Sequence, residues 1–121
     1  MAGIAADRVR LKRVYEPVAD DDGTRVLVER LWPRGVRKAD AAVERWEREI
    51  APSAGLRKWY GHETARWPEF RARYVAELRE HGPELEALRE LARGGRLTLV
   101  FAARDAEHSS AAVLREVLLD A

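Results

Sequence analysis

The chain has 121 residues, 46% of them hydrophobic and 36% charged, with a net charge of +1 and no cysteine. That length predicts one domain with a sizeable core. The near-zero net charge argues against nucleic acid as a general partner, and the missing thiols exclude disulfides, thiolate catalysis and cysteine-held metal.

In chain order, the opening stretch MAGIAADRVRLKRVY has no apolar run of signal-peptide length, and residues 1–7 read as a flexible tail. No segment approaches the roughly 18 apolar residues of a membrane span, so a cytoplasmic protein without a membrane partner is expected. VRLKRVY (9–15) alternates as a strand does, and EPVADDDGT follows as a loop with an Asp22-Gly23 turn signal. Its acidic run lacks the alternating oxygen ligands of a calcium loop. RVLVERL (25–31) reads as a second strand, apolar on both faces at Val26, Leu27 and Val28.

Asp40 is a candidate cap for a helix over AAVERWEREI (41–50), with Val43, Trp46 and Ile50 at helical spacing and Pro52 as its breaker. Ser53 can cap AGLRKWY. A further helix has Pro68 in its first turn and Phe70, Tyr74 and Leu78 as its apolar stripe. After Gly82-Pro83, ELEALRELA turns Leu85, Leu88 and Leu91 inward, and Gly94-Gly95 ends it. RLTLVFAA (96–103) is the clearest strand. Ser109-Ser110 then opens a terminal helix with Val113, Leu114, Val117 and Leu118 on one face.

The order β–β–α–α–α–β–α predicts a small three-layer α/β domain over residues 1–121, with a short, mainly parallel sheet flanked by helices. The direction of the first strand is open, since its nine-residue connector permits a hairpin without requiring one.

Open α/β sheets bind ligands beyond the carboxyl ends of their strands. Here the second strand runs into Glu29, Arg30, Trp32 and Arg34, and the third into Arg104, Asp105, His108, Ser109 and Ser110. Parallel strands would bring these loops to one rim, beside the N–H groups that open the last helix. Arg30, Arg34 and Arg104 would grip phosphate or carboxylate with forked hydrogen bonds. Glu29 or Asp105 would orient an arginine or handle a proton. The competing expectation is a rim closed by mutual ion pairs, with a serine serving only as an N-cap.

His62, in WYGHE, is a candidate acid/base because imidazole titrates near neutral pH. His81, before Gly82, reads as a cation at a helix end. No pair of histidines has metal-ligand spacing, so no metal is expected. The glycines form neither a GxGxxG nor a Walker loop, and no cofactor is expected. Trp46 and Trp67 read as helix-packing residues, whereas Trp32 and Trp59 lie next to arginines that could stack on them. RLWPRGVRK groups cations around an indole, a weak nucleic-acid signal on a near-neutral chain.

The strings RLWPRG, APS, LRKW, F…RY…EL and LTLVFAARD, spread from about Lys12 to Leu118, resemble the YeaO-like branch of the bacterial family called domain of unknown function 488. The resemblance implies a compact α/β domain of uncharacterised activity. Family members usually carry Asp-Arg before LWPRG, where this chain has Glu29-Arg30, and commonly Asn-His-Ala where it has Ser109-Ser110-Ala111. The family's histidine is thus replaced by Ser110. The resulting functional expectation is an enzyme, or a relative of one, acting on an anionic small molecule. A non-catalytic binding module for a ligand or protein is the alternative, and nucleic-acid association a further one.

Overall fold

A computed structural model describes residues 3–120. Its centre is a four-stranded sheet of β1 (Val9–Arg13), β2 (Thr24–Leu27), β3 (Arg45–Trp46) and β4 (Leu97–Phe101) in the order β1-β4-β2-β3. Every pairing is parallel. β4 is buried at all five positions, as its unbroken apolar run requires of a central strand. It separates β1 from β2, which rules out a hairpin between them. The connector must therefore carry the chain back to the starting edge of the sheet. It arrives through Gly23 (φ 67°), where an added Cβ would lie 2.1 Å from the Arg96 carbonyl oxygen, so only glycine fits.

Period-two alternation sends β-strand side chains to two different environments. Val9, Val26, Val28, Leu97, Leu99 and Phe101 face the main core. That core is closed by α2 (Ala54–Tyr60), α3 (Trp67–Leu78), α4 (Gly82–Gly94) and α5 (Ser110–Leu119). Ser53 caps α2 through its side chain, and Phe70, Tyr74 and Leu78 of α3 are buried as the spacing predicts. Leu85 and Leu88 of α4 are buried and Leu91 is half-buried. On α5, Val113, Leu114 and Leu118 are buried, with Val117 packed against the same core.

The opposite face has a thinner cover. Val14, Leu27 and Val100 pack there beneath residues 32–46, with Trp32 edge-on to Trp46 at 5.4 Å. The predicted helix over 41–50 does not form. One helical turn, α1 (Lys38–Ala41), ends at Ala42 in the left-handed region (φ 49°). Arg45–Trp46 then pairs with Val26–Leu27 as an edge strand, and Arg48–Ile50 is a 3₁₀ turn. The reason is tertiary. Val43 and Trp46 are needed on the thin face and Ile50 in the main core, whereas a continuous helix would aim all three one way. Arg25 also holds the end of α1, donating from Nη2 to the Ala41 carbonyl (2.8 Å) and from Nε to that of Ala42 (3.1 Å). Trp46 is accordingly a strand residue, stacked by Arg48 at 3.9 Å, rather than a helix-packing one.

The thin face also holds a buried charge cluster. Asp22, only 1% exposed, accepts from Arg25 Nη1 (2.7 Å), Lys12 Nζ (2.9 Å) and Arg10 Nη1 (3.3 Å). Its Oδ2 also accepts from the Ala19 N–H (3.1 Å). Burial pushes the Asp22 carboxyl up, but the Ala19 N–H and the Lys12 and Arg25 donors outweigh it and hold it down at about 2. Of the predicted tail 1–7, residues 1 and 2 lie outside the described residues. Ala6–Arg8 form a 3₁₀ turn whose Ala6 carbonyl accepts from Arg115 Nη2 (2.8 Å).

Candidate functional site

A cavity of about 620 Å³ opens where β2 and β4 end. Glu29 and Arg30 from the first loop meet Arg104, Asp105, His108, Ser109 and Ser110 from the second, and His62 joins them from the turn after α2. Among the described residues no ion pair closes the rim from one loop to the other. Trp32 and Arg34 do not line the cavity. Trp32 is turned to the thin face, where its Nε1 donates to the Val36 carbonyl (2.6 Å), and Arg34 is exposed to solvent.

Arg30 lines the cavity, its guanidinium anchored along one side. Nε donates to the Pro52 carbonyl (3.0 Å) and Nη2 to that of Ala51 (2.9 Å). The same short loop is held from α3. Tyr74 donates its hydroxyl to the Ile50 carbonyl (2.7 Å), and Glu77 accepts from the Ser53 N–H (2.8 Å) and hydroxyl (2.5 Å). Ser53 in turn caps α2, accepting from the Leu56 N–H (3.2 Å). Thus Arg30, the APS string and the RY…EL helix, far apart in sequence, form one knot that fixes a wall of the cavity. Burial and the nearby Glu77 and Glu29 charges raise the Tyr74 hydroxyl far above its ordinary value, so it remains a donor.

Glu29 is half-buried on the floor. Its Oε2 accepts from the Ala102 N–H (3.1 Å) at the end of β4. Burial raises its carboxyl above the usual range, opposed by the Ala102 N–H and by Arg57 acting through space. Asp105 accepts from the Glu107 and His108 N–H groups (3.1 and 3.2 Å) and faces His108 Nδ1 at 2.7 Å. The His108 contact, followed by its N–H, lowers the Asp105 carboxyl. The His108 ring also meets Trp67 edge-on at 5.2 Å. Ser109 is the N-cap of α5, accepting from the Ala112 N–H (3.2 Å) while its hydroxyl donates to the Ala106 carbonyl (2.7 Å). Its side chain is thereby satisfied within the protein, while Ser110 lines the cavity beside it.

Sequence reading missed Arg57, Tyr60 and Phe70 as cavity residues. They come from α2 and α3 rather than from strand ends. The available signal was the LRKWY string, which puts Arg57 and Tyr60 three apart on one helical face. Tyr60 packs on Phe70 at 4.5 Å with a 34° tilt, and Phe70 stacks on Trp67 at 5.3 Å. Burial, with Asp105 nearby, raises the Tyr60 hydroxyl. Trp59 points elsewhere and carries the guanidiniums of Arg73 and Arg66 at 4.4 and 5.5 Å. Arg57 and Arg104 are exposed and make no side-chain hydrogen bond or ion pair among the described residues. Nor do those residues contain a group of three or more histidine, aspartate or glutamate side chains able to hold a metal ion. None of their helices is long and apolar enough to cross a membrane.

Fold and site together define a small α/β protein with a cavity beyond the carboxyl ends of a parallel sheet. The chain belongs to the family described as the inactive DUF488-N3 subclade, which it matches over residues 8–121. It is 42% identical over 110 residues to the uncharacterized protein YeaO of Escherichia coli K12, covering 91% of this chain and 96% of that protein. It is 47% identical over 111 residues to the uncharacterized protein Rv3073c of Mycobacterium tuberculosis H37Rv, with 92% and 93% covered. The same figures hold for Mb3100c of Mycobacterium bovis, also uncharacterized. No solved structure matches the chain.

Proposed function

We propose that the protein binds a small anionic molecule in the cavity between the Glu29 and Arg104 loops, without turning it over. The observation that carries this reading is the pair of uncommitted guanidiniums, Arg57 and Arg104, on a cavity of about 620 Å³. That volume lies within the range of small-molecule sites, and unpaired guanidiniums are suited to carboxylate or phosphate. The described inactivity of the subclade favours binding over turnover. So does the serine at 110, where the resemblance implies a histidine. Arg30 acts here as a strut, with Nε and Nη2 held by backbone carbonyls and Nη1 3.8 Å from the Glu49 carboxylate.

Thermal melting in inorganic phosphate and in small carboxylates tests the reading. A ligand that binds only the native state stabilises it by about 2.7 kcal/mol at a hundredfold excess over Kd. The shift is expected to disappear in Arg57→Ala/Arg104→Ala. A shift that survives the double substitution, or no shift with any anion, refutes the proposal.

The Asp105–His108 contact supports a second reading, in which the site retains turnover. A carboxylate on Nδ1 leaves Nε2 as the imidazole's free nitrogen, the arrangement of a general acid/base. Among the described residues His62 has no such orienting partner, and it adopts a left-handed backbone (φ 61°). Under this reading His108→Ala abolishes turnover while binding persists, and an unchanged rate rejects it.

A further inference from the structure

The cavity asks more of its occupant than negative charge. Glu29 uses one carboxyl oxygen on the Ala102 N–H, and Oε1 makes no hydrogen bond among the described residues. Neighbouring Arg30 makes no hydrogen bond to it among the described residues, and directs Nε and Nη2 at the Pro52 and Ala51 carbonyls instead. A half-buried carboxyl with a vacant acceptor oxygen is stabilised by an incoming N–H or O–H. Tyr60 and Phe70 provide a tilted aromatic wall, backed by Trp67. Such a surface favours the face or edge of another ring. Arg57 and Arg104 supply positive charge to the same cavity. A bare sulfate would meet only the last of these three features, a bare phosphate would still miss the aromatic wall, and either would leave most of the volume unfilled.

We infer that the site is built for an organic acid with a flat ring, carrying an N–H donor directed at Glu29 and an acid group directed at Arg57 and Arg104. This rests on the anion-binding reading above and specifies its ligand class. The bipolar lining gives orientation as well as affinity. Reversing such a molecule would set its acid against the Glu29 carboxyl and its donor against two guanidiniums.

Titration calorimetry with para-aminobenzoate, para-toluate and inorganic phosphate separates the two levels. Para-toluate keeps the ring and acid but replaces the amine by a methyl group. Para-aminobenzoate is expected to bind about tenfold more tightly than para-toluate, the scale of one hydrogen bond to a charged or buried acceptor. In Glu29→Gln the amide can still accept from Ala102 but presents N–H toward the cavity, so the tenfold preference is expected to vanish. Arg57→Ala is expected to weaken both benzoates. Equal binding of the two benzoates to the native protein, or binding of phosphate alone, overturns the ligand class while leaving anion binding intact. Failure of all three compounds overturns both. The native-protein comparison decides the matter even if Glu29→Gln does not fold.

Discussion

Two carboxylates, Asp22 and Glu29, stand at opposite ends of β2 and have opposite fates. Asp22 is enclosed by three cations and a backbone N–H, and its charge is held by the fold. Glu29 has one backbone donor, a vacant oxygen and cations kept at a distance. Both have arginines nearby, yet one cluster is closed and the other open. Charged composition alone therefore does not mark a site. What matters is whether the donors and acceptors have already found one another.

The contrast can be tested most severely at Asp22. Asp22→Ala leaves Arg25 buried without its counter-charge and is expected to cost about 3–5 kcal/mol in urea unfolding. A loss below 1 kcal/mol would mean the closed cluster is not structural. Gly23→Ala next to it drives a methyl group into the Arg96 carbonyl and is expected to cost well over 1 kcal/mol, read as a lower melting temperature. Tyr74→Phe strands the buried Ile50 carbonyl in the knot and is expected to cost about 1–3 kcal/mol. Arg104→Ala, at the open site, is expected to change stability by no more than about 0.5 kcal/mol.

The two carboxyls should also tilt the pH profile in opposite directions. Asp22 is held down at about 2, against about 4 when unfolded. Between those values the unfolded chain binds the extra proton, so stability rises with pH and is lost as pH falls through 2. Glu29 is raised, so its proton is held by the folded protein above the unfolded value. Its contribution is present below that value and declines as pH rises through the folded one. Denaturant midpoints across pH 2–7 should show the Glu29 decline disappearing in Glu29→Gln, with the Asp22 rise unchanged.

What the sequence made legible follows the same division. β4 announced itself because burial on both faces demands a continuous apolar run. α2 and α5 announced their starts through the capping serines Ser53 and Ser109. Residues 41–50 were misread because a two-residue edge strand depends on β2 for its existence and leaves no periodic pattern of its own. At the cavity, Glu29, Arg104 and Asp105 were visible as polar residues following apolar strands. Arg30 was visible too, but not its anchoring, since the partners there are backbone carbonyls that no side-chain pattern reveals. Arg57 and Tyr60 escaped notice because they enter from the crossover helix.

The position of β4 also constrains how the chain can be made. β1 finds its partner only when Leu97 is available opposite Val9, and β2 waits for the same strand. A nascent polypeptide that has emerged only as far as α4 can pair no more than β2 with the two residues of β3. Sheet assembly is thus deferred until Leu97–Phe101 has been made, and the exposed valines and leucines of β1 and β2 depend until then on helices or chaperones for cover.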